Sequence, residues 1–71
     1  MLKSKNEVIS DLIDEQKIIV DKMVKIKDFR EKHSNDISNY HMQLIITQYN
    51  ILASYYSILS SRLLDLLDKD D

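Results

Sequence analysis

Apolar residues recur along this chain at three- and four-residue steps in two long stretches, and one polar break separates them. Helical spacing runs from about Asn6 to about Lys32 and is carried by Val8, Ile9, Leu12, Ile19, Val20, Met23 and Ile26. It returns from about Ile37 to about Leu67 with Leu44, Ile45, Leu52, Tyr56, Leu59 and Leu63. The first stretch opens on Ser4-Lys5-Asn6-Glu7, a capping box in which serine accepts from an early helical N–H and glutamate reaches back. It closes on Arg30, Lys32 and His33, cations that suit a helix C-terminus. The break is His33-Ser34-Asn35-Asp36, and Ser34, Asn35 and Asp36 are all suitable N-caps for the second helix. The pattern predicts one all-α domain over residues 1–71: a helix over about 5–32, a turn over about 33–36, a helix over about 37–67 and an acidic tail over 68–71. The tail places Asp68, Asp70 and Asp71 at a helix C-terminus, the wrong sign for the dipole, and is expected to fray. An antiparallel hairpin results, with arms roughly 40–45 Å long at 1.5 Å per residue.

Each helix is apolar over too wide an arc for a hairpin alone. Ile18, Phe29, Val8, Ile26, Leu12, Met23, Ile13 and Val24 spread around roughly two-thirds of the first helix, whereas one neighbour covers about a third. The second helix repeats the excess. The surplus predicts that hairpins assemble into a helical-bundle oligomer, a dimer or larger. Leu12, Ile19, Val20, Met23, Ile26, Tyr49, Leu52, Tyr56, Leu59 and Leu63 are the expected oligomer interface.

Composition sharpens this picture. The chain of 71 residues has no Gly, no Pro and no Cys, so nothing interrupts the helices, and disulfides, thiolate metal sites and cysteine nucleophiles are excluded. Small chains without such staples often turn to oligomerisation. The net charge is −2, with both signs interspersed, which argues against nucleic acid or anionic membrane as partner. No apolar run exceeds the length of Ile18-Ile19-Val20, and the N-terminus lacks a signal-peptide apolar region. The expectation is a cytoplasmic protein.

A polar file crosses the apolar arc of the second helix. Gln48, Tyr55 and Arg62 lie seven residues apart, as Glu15, Lys22 and Phe29 do on the first helix. A turn near residue 34 sets Lys22 near Gln48, Glu15 near Tyr55 and Arg62 closest to Asp11. One reading makes these residues satisfied polar contacts that fix register: Arg62 pairs with an acid and Gln48 bonds Tyr55 or Lys22. The other makes Lys22, Tyr55 and Arg62 a pocket between subunits for an anion, with arginine as the fork and tyrosine as a stacking face. Tyr40, Tyr49, Tyr55 and Tyr56 all lie on the second helix and suit an interface.

Other chemistry finds little support. His33 and His41 lack the i, i+4 spacing of a helical metal pair, so the first reads as a solvated turn residue and the second as packing near the turn. The aspartates of the tail lack the glycine-bearing loop of a calcium site. There is no nucleophile elbow and no glycine-rich phosphate loop. No helix carries a basic stripe for DNA. No enzyme activity and no cofactor or metal is expected.

The spacing of Glu15, Lys22, Ile26 and Phe29, followed by Leu44, Gln48, Leu52, Tyr55, Leu59 and Arg62, resembles a family of short helical-hairpin proteins of phages and prophages, named after a crAss-like gut phage. The resemblance covers roughly residues 12–63 and departs by Ile26 and Leu52, both volume-conserving changes. It implies a phage or prophage accessory protein in a bacterial host, without implying an activity. By analogy with small phage helical proteins, the expected function is counter-defence by binding: inhibition of a host defence protein, or sequestration of an anionic nucleotide-type signal between subunits. The alternative is a structural or assembly helper, or an antitoxin-like interaction subunit.

Overall fold

The computed structural model describes residues 3–68. Two helices, α1 over Lys5–His33 and α2 over Asn39–Asp68, form an antiparallel hairpin with extents of 53 × 19 × 15 Å. With no glycine or proline, neither helix has an interior breaker. Ser4 caps α1, and its hydroxyl accepts from the Glu7 N–H at 3.2 Å. The Glu7 side chain returns the contact to the serine hydroxyl, also at 3.2 Å, rather than to the backbone N–H of the usual capping box. Lys3 adds an ion pair to Asp11.

The connection is later than the sequence suggested. Ser38, not Ser34, Asn35 or Asp36, caps α2: its hydroxyl accepts from the His41 N–H at 3.1 Å. Asp36 is occupied in closing α1. Its N–H donates to the His33 carbonyl at 2.9 Å, and its carboxylate lies 3.2 Å from His33 Nδ1. Five residues then carry the chain across the 8–10 Å that separate packed helix axes. No described residue has positive φ, so the turn needs no glycine. Phe29 seals it: its ring lies 4.6 Å from His33 and 6.4 Å from His41. His33 keeps a solvated side chain in the turn, as expected, while its ring also packs on Phe29, and His41 packs near the turn.

The core is one seam between the helices. Leu12, Ile19 and Leu59 are buried at its centre, with Val8, Met23, Leu52, Tyr56, Leu63 and Leu66 packed against them; Ile45 is buried nearer the turn. These positions recur every seven residues, the repeat of a left-handed coiled-coil seam. Seven of the residues assigned to an oligomer interface, Leu12, Ile19, Met23, Leu52, Tyr56, Leu59 and Leu63, thus meet within one chain. Ile26 and Tyr49 are half-buried, and Val20 is exposed. The ends Asp70 and Asp71 of the acidic tail, with the fraying expected there, lie outside the described residues. Within the described residues no helix is long and apolar enough to cross a membrane.

Candidate ligand- and partner-binding face

Register decides which side chains share a face. Gln16 Nε2 donates to Ser60 Oγ at 2.8 Å across the seam. Toward the turn, Ile26 and Phe29 share a groove with His41, Ile45 and Gln48. A turn ending at Asp36 would have set Gln16 about two turns of helix short of Ser60. The later cap at Ser38 moves α2 along α1. Phe29, not Lys22, shares the groove with Gln48, and Glu15 moves past Tyr55 toward Arg62, two residues beyond Ser60.

The shift alters the predicted polar contacts. Glu15 is half-buried; Lys22, Gln48, Tyr55 and Arg62 are exposed. Among the described residues none of the five makes a side-chain hydrogen bond or ion pair. The Arg62–acid pair and the Gln48 bond to Tyr55 or Lys22 therefore do not form within one chain. The helical period still puts the two files beside the same edge of the seam, as the Phe29–Gln48 groove shows at its turn end. Two cations, a phenol and an amide thus lie along one side of the hairpin, with the half-buried Glu15 in the same file.

Around them α2 is apolar and uncharged. From Asn39 to Ser61 it has no Asp, Glu, Lys or Arg, although such residues make up 31% of the chain. Leu44, Ile51, Tyr55 and Ile58 are exposed there. A shallow groove lined by Thr47, Asn50, Ile51, Ser54, Tyr55 and Ile58 runs along this surface. A second groove, beside Ile58 and Ser61, holds Arg62 and Asp65.

The opposite side of the seam carries a feature the sequence reading passed over. A cleft of about 200 Å³ is lined by Ile26, Lys27, Arg30, Ile45, Ile46 and Tyr49. Lys27 and Arg30, i and i+3 on α1, share this lining with Tyr49 of α2 and with apolar Ile26, Ile45 and Ile46. An ammonium, a guanidinium and a phenol over hydrocarbon suit an anion with an apolar or aromatic body. The signal was the i, i+3 spacing of Lys27 and Arg30, hidden because half of the cleft comes from α2.

The Sequestin family model matches residues 6–65, which span both helices and the connection. The chain belongs to the Sequestin family. No curated protein and no solved structure matches it. The Sequestin match embraces the whole candidate face and the Lys27–Arg30–Tyr49 cleft. The expected membership of a family is met under the Sequestin name, and the match carries no phage or prophage link.

Proposed function

We propose that this chain is a non-enzymatic binding protein that sequesters a small anionic ligand of nucleotide type between hairpins. The observation that carries the reading is the pair of unpartnered cations, Lys22 and Arg62, on either side of Tyr55 beside an uncharged apolar surface. Arg62 supplies a bidentate donor for phosphate or carboxylate, Lys22 a point charge and Tyr55 a face for a base. One hairpin leaves these groups open to solvent, where each gains little. A second hairpin laid over them would exclude water and strengthen every charged contact. The Sequestin name points the same way, toward holding a ligand or partner. The phage or prophage setting, and counter-defence as the purpose, rest on the resemblance of the Glu15–Phe29 and Leu44–Arg62 spacings.

A ligand-stabilisation screen tests this. Cyclic or ADP-ribose-like nucleotides are expected to raise Tm by several degrees at saturating concentration, because ligand that binds only the folded state adds RT ln(1 + [L]/Kd). Arg62→Ala is expected to remove the rise and leave the solution mass unchanged. If Arg30→Ala removes it and Arg62→Ala does not, the ligand sits in the Lys27–Arg30–Tyr49 cleft. If no anionic ligand shifts Tm, sequestration of a small molecule fails. A second reading, the capping of a host protein, is favoured by exposed Ile13, Val20 and Val24 on α1. It predicts a stable complex lost on Val20→Glu.

A further inference from the structure

Lys27 and Arg30 differ from cations elsewhere on the hairpin. Lys25 is held by Asp21 at 3.0 Å, and Lys3 by Asp11. Among the described residues neither Lys27 nor Arg30 makes an ion pair or a side-chain hydrogen bond. Glu31 shares a neighbouring groove with both and pairs with neither. Its place one turn after Lys27 is the weaker order for a helical pair, which favours the acid on the N-terminal side. Helix-end electrostatics account for Arg30, which lies in the last turn of α1. They do not account for Lys27, which precedes that turn, because the effect falls off within it. Both cations line one cleft with Tyr49, a half-buried phenol whose O–H also has no partner among the described residues.

We propose that this cleft binds a phosphomonoester carried on a single ring, within one hairpin and apart from the Lys22–Tyr55–Arg62 site. Charge selects the head group. Lys27 and Arg30 each bring a positive charge, and a phosphomonoester carries about −1.5 to −2 at pH 7, where a carboxylate has a single charge. The guanidinium can bind two phosphate oxygens at once, and the ammonium and the phenol can each donate to another. From Asn39 to Ser61 α2 has no Asp, Glu, Lys or Arg, so it brings no charge to the cleft that would repel or replace the anion. Volume selects the body. At about 200 Å³ the cleft is smaller than the roughly 300–1,000 Å³ that encloses a drug-sized ligand. It suits one ring with its phosphate and is too small for a nucleotide with a second sugar. Ile26, Ile45 and Ile46 give the ring hydrocarbon to lie against, and Tyr49 an aromatic face. The cleft is also more closed than the grooves that hold Gln48, Tyr55 and Arg62, so a small ligand sheds water here without a second hairpin.

Phenyl phosphate titrated into the isotope-labelled chain, followed in its amide NMR spectrum, tests the site. Saturable shifts are expected at the amides of Lys27, Arg30, Ile46 and Tyr49, and none of that size at Arg62. Lys27 and Arg30 are exposed helical positions where alanine keeps the helix. Lys27→Ala and Arg30→Ala are each expected to raise Kd about tenfold, as loss of a hydrogen bond to a charged group does. Tyr49→Leu is expected to weaken phenyl phosphate and leave methyl phosphate unchanged. Phenylacetate, with one charge, is expected to bind more weakly than phenyl phosphate. Absence of saturable shifts at these amides overturns the proposal, as does equal binding by the unmodified chain and the two alanine variants. Inorganic phosphate bound as tightly as phenyl phosphate overturns the choice of ligand. Arg62→Ala is expected to leave the shifts unchanged, and their loss in that variant overturns a separate site. The nucleotide-dependent rise in Tm is assigned to Arg62 and these shifts to Arg30, so either can fail without the other.

Discussion

Ser38 shows how one hydroxyl can set the position of a whole helix. Ser34, Asn35, Asp36 and Ser38 have equal chemical claims to cap α2, and only Ser38 Oγ accepts from an α2 N–H. Ser38→Ala is expected to lower stability by about 1 kcal/mol, as loss of a serine cap does, while Ser34→Ala and Asn35→Ala change it by less than about 0.5 kcal/mol. Urea unfolding of the three variants tests this; equal effects would mean that the cap is shared. Ser60 has a comparable part at the far end of the seam. Ser60→Ala would leave the part-buried Gln16 amide without its 2.8 Å acceptor and cost roughly 1–2 kcal/mol. Ser60→Ala with Gln16→Leu, which removes both polar partners, is expected to recover most of that loss.

The helices themselves are balanced unequally. α1 carries the Lys25–Asp21 salt bridge at 3.0 Å and the capping box, whereas α2 has no Asp, Glu, Lys or Arg from Asn39 to Ser61. Their shared seam is thin, so truncations at its centre should matter most. Leu59 is fully buried, and Leu59→Ala is expected to cost about 2–5 kcal/mol, a large part of the roughly 4–10 kcal/mol available to a domain of this length. Helix content by circular dichroism at fixed concentration reads it directly. This contrast also marks what was legible in advance. The three-and-four spacing placed both helices to within a residue or two, and the capping box fixed where α1 begins. The wide arcs were legible as excess apolar surface, but not their division: Leu12, Ile19 and Leu59 belong to the hairpin seam, while Leu44, Ile51 and Ile58 are left outside. That division depends on register, and register depends on whether the chain turns at Asp36 or Ser38. For the same reason Gln48, Tyr55 and Arg62 were readable as one file, while the absence of intrachain partners for them was not. The Lys27–Arg30–Tyr49 cleft was invisible because residues of two distant segments build it.

At the scale of the whole molecule, the proposed ligand site spaces its charges in a way that can be measured. The Gln16–Ser60 bond and the Phe29–Gln48 groove bracket Lys22, which sets it level with Ser54 and Tyr55. Arg62 follows Tyr55 by seven residues, about 10 Å at 1.5 Å per residue. Two cations so spaced suit a ligand with more than one anionic group, so Lys22→Gln is expected to lessen the Tm rise given by an ADP-ribose-like ligand more than that given by inorganic phosphate. The difference should shrink in molar salt, where the Debye length falls to about 3 Å. Thermal unfolding of both proteins with each ligand at matched ionic strength checks this, and equal rises with and without the Lys22 ammonium would place Lys22 outside the ligand site.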